Sequence, residues 1–230
     1  TAWANDIAYT VISRVADQAG NLETLGAGNS FTYDIALPSA TLTNVPNNEF
    51  YNTLPTISGG SSDTSPGQLQ RVEVSIRRGS DNYYWNGALF TAVTEYFNAA
   101  TSTPSWTYTT PTFTEGSSPY TLRAQAVDKA GNVSVGGGVA LSSFTFDGAA
   151  PVSTVTAPTE GQMVNAPLTI SGTSSDPVAG NERGVNLQEV EVTYVQGAST
   201  YYWDGSVFTT TVVSNWPDAT LGVSGTTWTF

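Results

Sequence analysis

Apolar and polar residues alternate with a period of two along most of this chain, and no segment carries a helical stripe. The run Arg71-Val72-Glu73-Val74-Ser75-Ile76-Arg77 directs Val72, Val74 and Ile76 to one face, and Tyr120, Leu122, Ala124 and Ala126 do the same further on. Between 35 and 147 the pattern predicts strands near 40–45, 54–59, 70–78, 82–85, 88–93, 104–110, 119–127 and 140–146, with Trp106 facing inward. Asn86-Gly87 separates Tyr84-Trp85 from Leu89-Phe90, and Asp204-Gly205 takes its place later on. Both pairs suit the positive φ angles of a tight hairpin turn, which would set the flanking aromatics opposite each other.

The pattern also repeats. "ADQAGN" at 16–21 returns as "VDKAGN" at 127–132, the "TISG…SSD" of 56–63 returns at 169–176, and "YYWNG" at 83–87 returns as "YYWDG" at 201–205. The spacing drifts because the later copy has a longer loop, 177–186, and insertions of that kind sit at surface loops. Three pieces follow: the last strands of one module (1–34), a complete module (35–147) and the front of another (148–230). The boundaries fall at "FTYDIALP" and "FTFDGAAP", where a strand ends in Asp34 or Asp147 and a proline stops further pairing. Linkers this short predict close, stiff neighbours. The front piece lacks the strands that 1–34 carries. The expectation is that Pro151–Phe230 of one copy is completed by Ala8–Asp34 of the next, through a continuous array or by strand exchange between subunits.

Composition narrows the class. Charged residues are only 11% of the 230, cysteine and histidine are absent, and Lys129 is the sole lysine. A formal net charge of −12, from 19 acidic against 7 basic residues, argues against nucleic acid as a partner and leaves carboxylates free for calcium. Without cysteine, each module must fold on apolar burial alone. No stretch approaches the roughly 20 apolar residues of a membrane span, so membrane insertion of this segment is not expected.

The joint order of SSD, YYW(N/D)G, an aromatic-rich strand and DxAGN resembles the tandem bacterial Ig-like domains of large repetitive cell-surface and adhesin proteins. The resemblance covers the whole chain. It implies an all-β fold of tandem immunoglobulin-like, fibronectin-III-like antiparallel sandwiches. It also implies an extracellular, adhesive or matrix-forming role at a bacterial surface, with catalysis absent from these modules.

Carboxylates recur at fixed module positions: Asp17 and Asp128 with Asn21 and Asn132, Asp34 and Asp147, Asp63 and Asp176. Calcium needs six to eight oxygens, and the candidate ligands at a module junction are Asp17, Asn21, Asp34, Asp128, Asn132 and Asp147. The competing reading makes Asp-x-Ala-Gly-Asn only a turn, with Gly131 at positive φ and Asp128 bonding local amides. The turn is preferred, because the spacing matches no closed calcium loop. Two aromatic sets, Tyr83, Tyr84, Trp85 and Tyr201, Tyr202, Trp203, offer a platform for surface glycans. Packing is the preferred reading there, since the sets repeat together with the framework.

Catalysis finds little footing. Absent histidine and cysteine remove nucleophilic triads that need them, and every prominent acid lies in a repeated framework motif. The sequence therefore reads as a non-enzymatic structural module of a surface fibre, filament or adhesin stalk, propagated head to tail through identical copies. The alternatives are a strand-exchanged filament subunit and a carbohydrate-binding adhesin module.

Overall fold

The computed structural model describes residues 3–54, 56–117, 119–166, 168–176, 185–212, 216–222 and 226–230. The chain separates into two compact units, Thr1–Phe146 and Asp147–Phe230. Among the described residues it is all β apart from one 3-10 turn at Gly136–Gly138. Most of the loop expected at 177–186 lies outside the described residues.

Unit 1 opens with a hairpin of β1 (Ile7–Val11) and β2 (Asn29–Tyr33). There follow β3 (Ser39–Leu42), β4 (Glu49–Tyr51), β5 (Thr56–Ser62), β6 (Leu69–Arg78), β7 (Tyr84–Trp85), β8 (Phe90–Ala92), β9 (Asn98–Ala99), β10 (Ser105–Thr109), β11 (Tyr120–Asp128) and β12 (Ala140–Phe146). One sheet runs β10-β5-β3 and the other β4-β12-β11-β6-β7-β8, with β9 also on β6. The two sheets bury one shared core. Ala40, Ile57 and Trp106 come from the first, and Val72, Val74, Ile76, Tyr120, Leu122, Ala124 and Phe144 from the second. The alternating runs thus face inward as the sequence predicts, because a period of two puts every second side chain on the dry face.

Three details depart from the expectation. β4 and β9 have no counterpart in the predicted strands, since elements of three and two residues are too short to show alternation. β4 pairs with β12 in parallel, so the larger sheet is mixed and not purely antiparallel. The amide of Asn48 donates to the Ser143 carbonyl and Tyr51 meets the Phe144 ring, which together hold β4 at that edge. In the Asn86-Gly87 turn only Gly87 takes positive φ. Asn86 instead accepts the Ala88 and Leu89 amides on its Oδ1, and Asp204 does the same for Ser206 and Val207. An Asx turn thus replaces a two-residue reversal with both positions left-handed.

Unit 2 contains β13 (Val152–Ala157), β14 (Ser171–Ser175), β15 (Thr193–Gln196), β16 (Ser199–Trp203), β17 (Phe208–Thr209), β18 (Thr220–Leu221) and β19 (Thr227–Thr229). Its sheets run β13-β14-β19-β18 and β15-β16-β17. The central crossing copies that of unit 1. Gly59 lies opposite Trp106 and Gly172 opposite Trp228. A Cβ on either glycine would collide with a backbone carbonyl, Thr41 or Thr154, and with the indole. The indole Nε1 donates to the Gly60 carbonyl at 2.9 Å in unit 1 and to the Thr173 carbonyl at 3.3 Å in unit 2.

Candidate metal centre

β11 ends at Asp128, where the chain reverses through Lys129-Ala130-Gly131 with Gly131 at φ +93°. Asp128 is fully buried and its two carboxylate oxygens are held locally: Oδ1 accepts the Asn132 amide at 2.8 Å and Oδ2 accepts Asn132 Nδ2 at 2.8 Å. Asn132 Nδ2 also donates to the Asp34 main-chain carbonyl at 3.2 Å. The turn and the acid site are thus one device, since the turn fixes Asp128 and Asn132 ties it to the end of β2. With its amide hydrogens so used, Asn132 acts as a positioning group.

Asp34, Asp63 and Asp128 each bring a carboxylate oxygen within 4.8 Å of the other two. They arrive from three places: the residue after β2, the residue after β5 and the end of β11. Both carboxylate oxygens of Asp63 are sealed from solvent and make no hydrogen bond of good geometry, the Thr64 amide being close enough only to offset a little of what burial does to the group, an arrangement that isolated carboxylates avoid. Burial pushes the Asp63 pKa up, and the facing carboxylates of Asp128 and Asp34 push it further. The 64–67 turn closes over the group, so that a Cβ on Gly67 would fall onto the Asp63 carboxylate. The sole lysine does not neutralise the cluster, because Lys129 Nζ bonds Gln68 Oε1 at 2.9 Å. Three hard oxygen donors with one orphaned pair fit a divalent cation of the calcium class.

The other sequence candidates fall elsewhere. Asp17 and Asn21 repeat the turn bond for bond, with Asn21 donating to Asp17 at 2.8 Å from its amide and at 2.7 Å from Nδ2. That turn is exposed and outside the acidic trio. The Asn21 side chain, then its amide, holds the Asp17 pKa down. Asp147 belongs to unit 2, where its Oδ1 is buried without a hydrogen-bond partner. Asp63 is the member of the acidic trio that sequence reasoning left out of its candidate set. The available signal was its return as Asp176.

No family model matches this chain, and no curated protein matches it. Among solved structures, a Ca2+-stabilized adhesin, described as helping an Antarctic bacterium reach out and bind ice, is similar at a TM-score of 0.31 and 16% identity. The match covers 85% of this chain and 45% of that one, so the chain spans less than half of the longer structure's length. So loose a superposition carries no argument about role.

The aromatic sets divide between packing and exposure. Trp85 donates its Nε1 to Tyr108 Oη at 2.9 Å and meets Phe90 at 5.3 Å. Tyr84 is half-buried on β7, and Tyr83 is 38% exposed. In unit 2, Tyr201 stacks on Tyr194 at 4.6 Å and Trp203 meets Phe208 at 5.0 Å, while Tyr202 is half-buried in β16. Among the described residues, no helix is long and apolar enough to cross a membrane.

Proposed function

We propose that this chain is a non-catalytic structural module of a bacterial surface fibre or adhesin stalk. Its tandem immunoglobulin-like sandwiches follow one another head to tail and are stiffened by calcium at the junction. The observation that carries this reading is the acidic trio. Asp34 ends the strand pair preceding the complete module, whereas Asp63 and Asp128 belong to the module itself, so an ion held by all three fastens one segment to the next. Asp63, buried and with neither oxygen in a well-formed hydrogen bond, is the group that gains most from a cation. The sandwich framework supports a load-bearing role, and the lack of histidine and cysteine supports the absence of catalysis.

Calorimetric titration of the full chain with calcium, paired with melting curves in calcium and in chelator, tests the reading. One or more sites and a calcium-dependent rise in the unit 1 transition, both lost in Asp63→Asn, are expected. No heat of binding together with a melting temperature indifferent to chelator would discard it.

A further inference from the structure

The β7–β8 turn of unit 1 and the β16–β17 turn of unit 2 are one structure built on two different side chains. Asn86-Gly87 and Asp204-Gly205 take the same place, and the amides of Asn86 and Asp204 donate to the Leu89 and Val207 carbonyls at 3.1 Å each. Asn86 Oδ1 accepts the Ala88 amide at 3.0 Å and the Leu89 amide at 2.8 Å, while Asp204 Oδ1 accepts those of Ser206 and Val207 at 2.8 Å each. The turn therefore uses one oxygen and is indifferent to what else the side-chain carbon carries. Glycine must follow. Gly87 has φ +95° and Gly205 +97°, and a Cβ on Gly87 would lie 3.0 Å from Asn98 Oδ1. Of all the asparagines in the chain, Asn86 alone precedes a glycine.

An asparagine carboxamide is attacked by the next main-chain nitrogen when that nitrogen is uncrowded, the carbonyl oxygen has donors for the charge it acquires, and the leaving nitrogen can receive a proton. Each requirement is met at Asn86. Gly87 is exposed and has no side chain, and among the described residues no protein group accepts from its amide. The Ala88 and Leu89 amides already point at Oδ1, the atom that becomes the oxyanion. Asn86 Nδ2 lies 3.2 Å from Thr91 Oγ1, a hydroxyl able to hand a proton to the departing nitrogen.

We propose that Asn86 is a site of spontaneous deamidation, promoted by its own turn and converted to an aspartate that the turn accepts. The Gly87 nitrogen bonds to Asn86 Cγ, the Gly87 proton and the carboxamide NH2 leave together as ammonia, and a cyclic imide forms. Water then breaks the new Cγ–N bond, returning a proton to the Gly87 nitrogen and a hydroxyl to Cγ. The product is the side chain that unit 2 already carries. There the Val207 amide, then that of Ser206, holds the Asp204 carboxyl below its ordinary value, so an aspartate in the same cradle is ionised at neutral pH. Opening the imide at the main-chain carbonyl would instead give isoaspartate. Its extra main-chain carbon would separate Trp85 from Phe90, which pair across this hairpin with their rings 5.3 Å apart, so the fold favours aspartate. Unit 1 thus gains one negative charge with age while its hairpin stays intact.

The test incubates the wild-type full chain at mildly alkaline pH and follows tryptic peptide 79–123 by mass spectrometry, beside a free peptide spanning 82–92. Asn86 should convert at least about tenfold faster in the folded chain than in the free peptide, because the oxyanion donors are already in place. Aspartate should outweigh isoaspartate, and Asn86→Asp should melt at the wild-type temperature. Slower conversion in the folded chain than in the peptide would overturn the proposal, since the turn would then protect Asn86. Earlier conversion of another asparagine, isoaspartate as the main product, or a clearly lower melting temperature of Asn86→Asp would overturn it as well.

Discussion

Trp106 and Trp228 sit at the same crossing, opposite a glycine, and both are almost fully buried. Around Trp106 stands a continuous core drawn from two sheets, whereas the buried hydrophobics described in unit 2 are Val190 and Trp228. Phe90 is 9% exposed and its counterpart Phe208 40%. The contrast separates two kinds of information. Turns, caps and cross-strand pairs form wherever their local sequence recurs, but burial depends on a second layer that a strand cannot supply for itself. A hairpin such as β1/β2 is marginal in water until its apolar face is covered.

Truncating equivalent rings should expose that contrast most sharply. Phe144→Ala should cost about 3–5 kcal/mol, and Phe31→Ala less than about 1 kcal/mol in the monomer, measured by chemical denaturation. Similar losses at both positions would mean that the β1/β2 face is covered in solution.

Calcium should act on unit 1 with a somewhat smaller effect. At about 100 times its dissociation constant it should add about 2.7 kcal/mol, and Asp63→Asn should remove that gain. Without calcium the pH dependence follows from the raised Asp63 pKa. The native state holds this proton more tightly than the unfolded chain does, so its contribution is full below the ordinary value of 3.8 and is lost as pH rises through the native value. Metal-free Asp63→Asn should therefore be at least as stable as the wild type at neutral pH and should lack that acid-range slope. A metal-free variant clearly weaker than the wild type at pH 7 would contradict the electrostatic account.

The shared crossing offers a control in which the units should agree. Gly59→Ala and Gly172→Ala each force a methyl group against a backbone carbonyl and an indole, at about 1–3 kcal/mol apiece. Calorimetry should show each lowering only its own unit's transition. A tolerated Gly172→Ala would show that the unit 2 crossing opens freely.

Much of this protein was legible from residue order. The period-two runs around Val72 and Tyr120 gave strands and their inward faces, since alternation is a property of the extended backbone. The DxAGN motif gave its turn, since an Asx side chain bonds amides only two to four residues away, whereas YYW(N/D)G gave the place of a reversal but not its type. The short β4 and β9 were not legible, because they are held by edges supplied from distant strands. Nor was the membership of the acidic site. Asp17 and Asp128 share a motif and a local bond pattern, yet only Asp128 meets two further carboxylates. What brings Asp34 and Asp63 to it is the register of β11 on β6 and the bond from Asn132 to the end of β2, contacts between positions far apart in sequence. Local bonding is written in the sequence. Which acids converge and which aromatics are covered is decided only when the sheets meet, because desolvation and charge proximity belong to the space between elements.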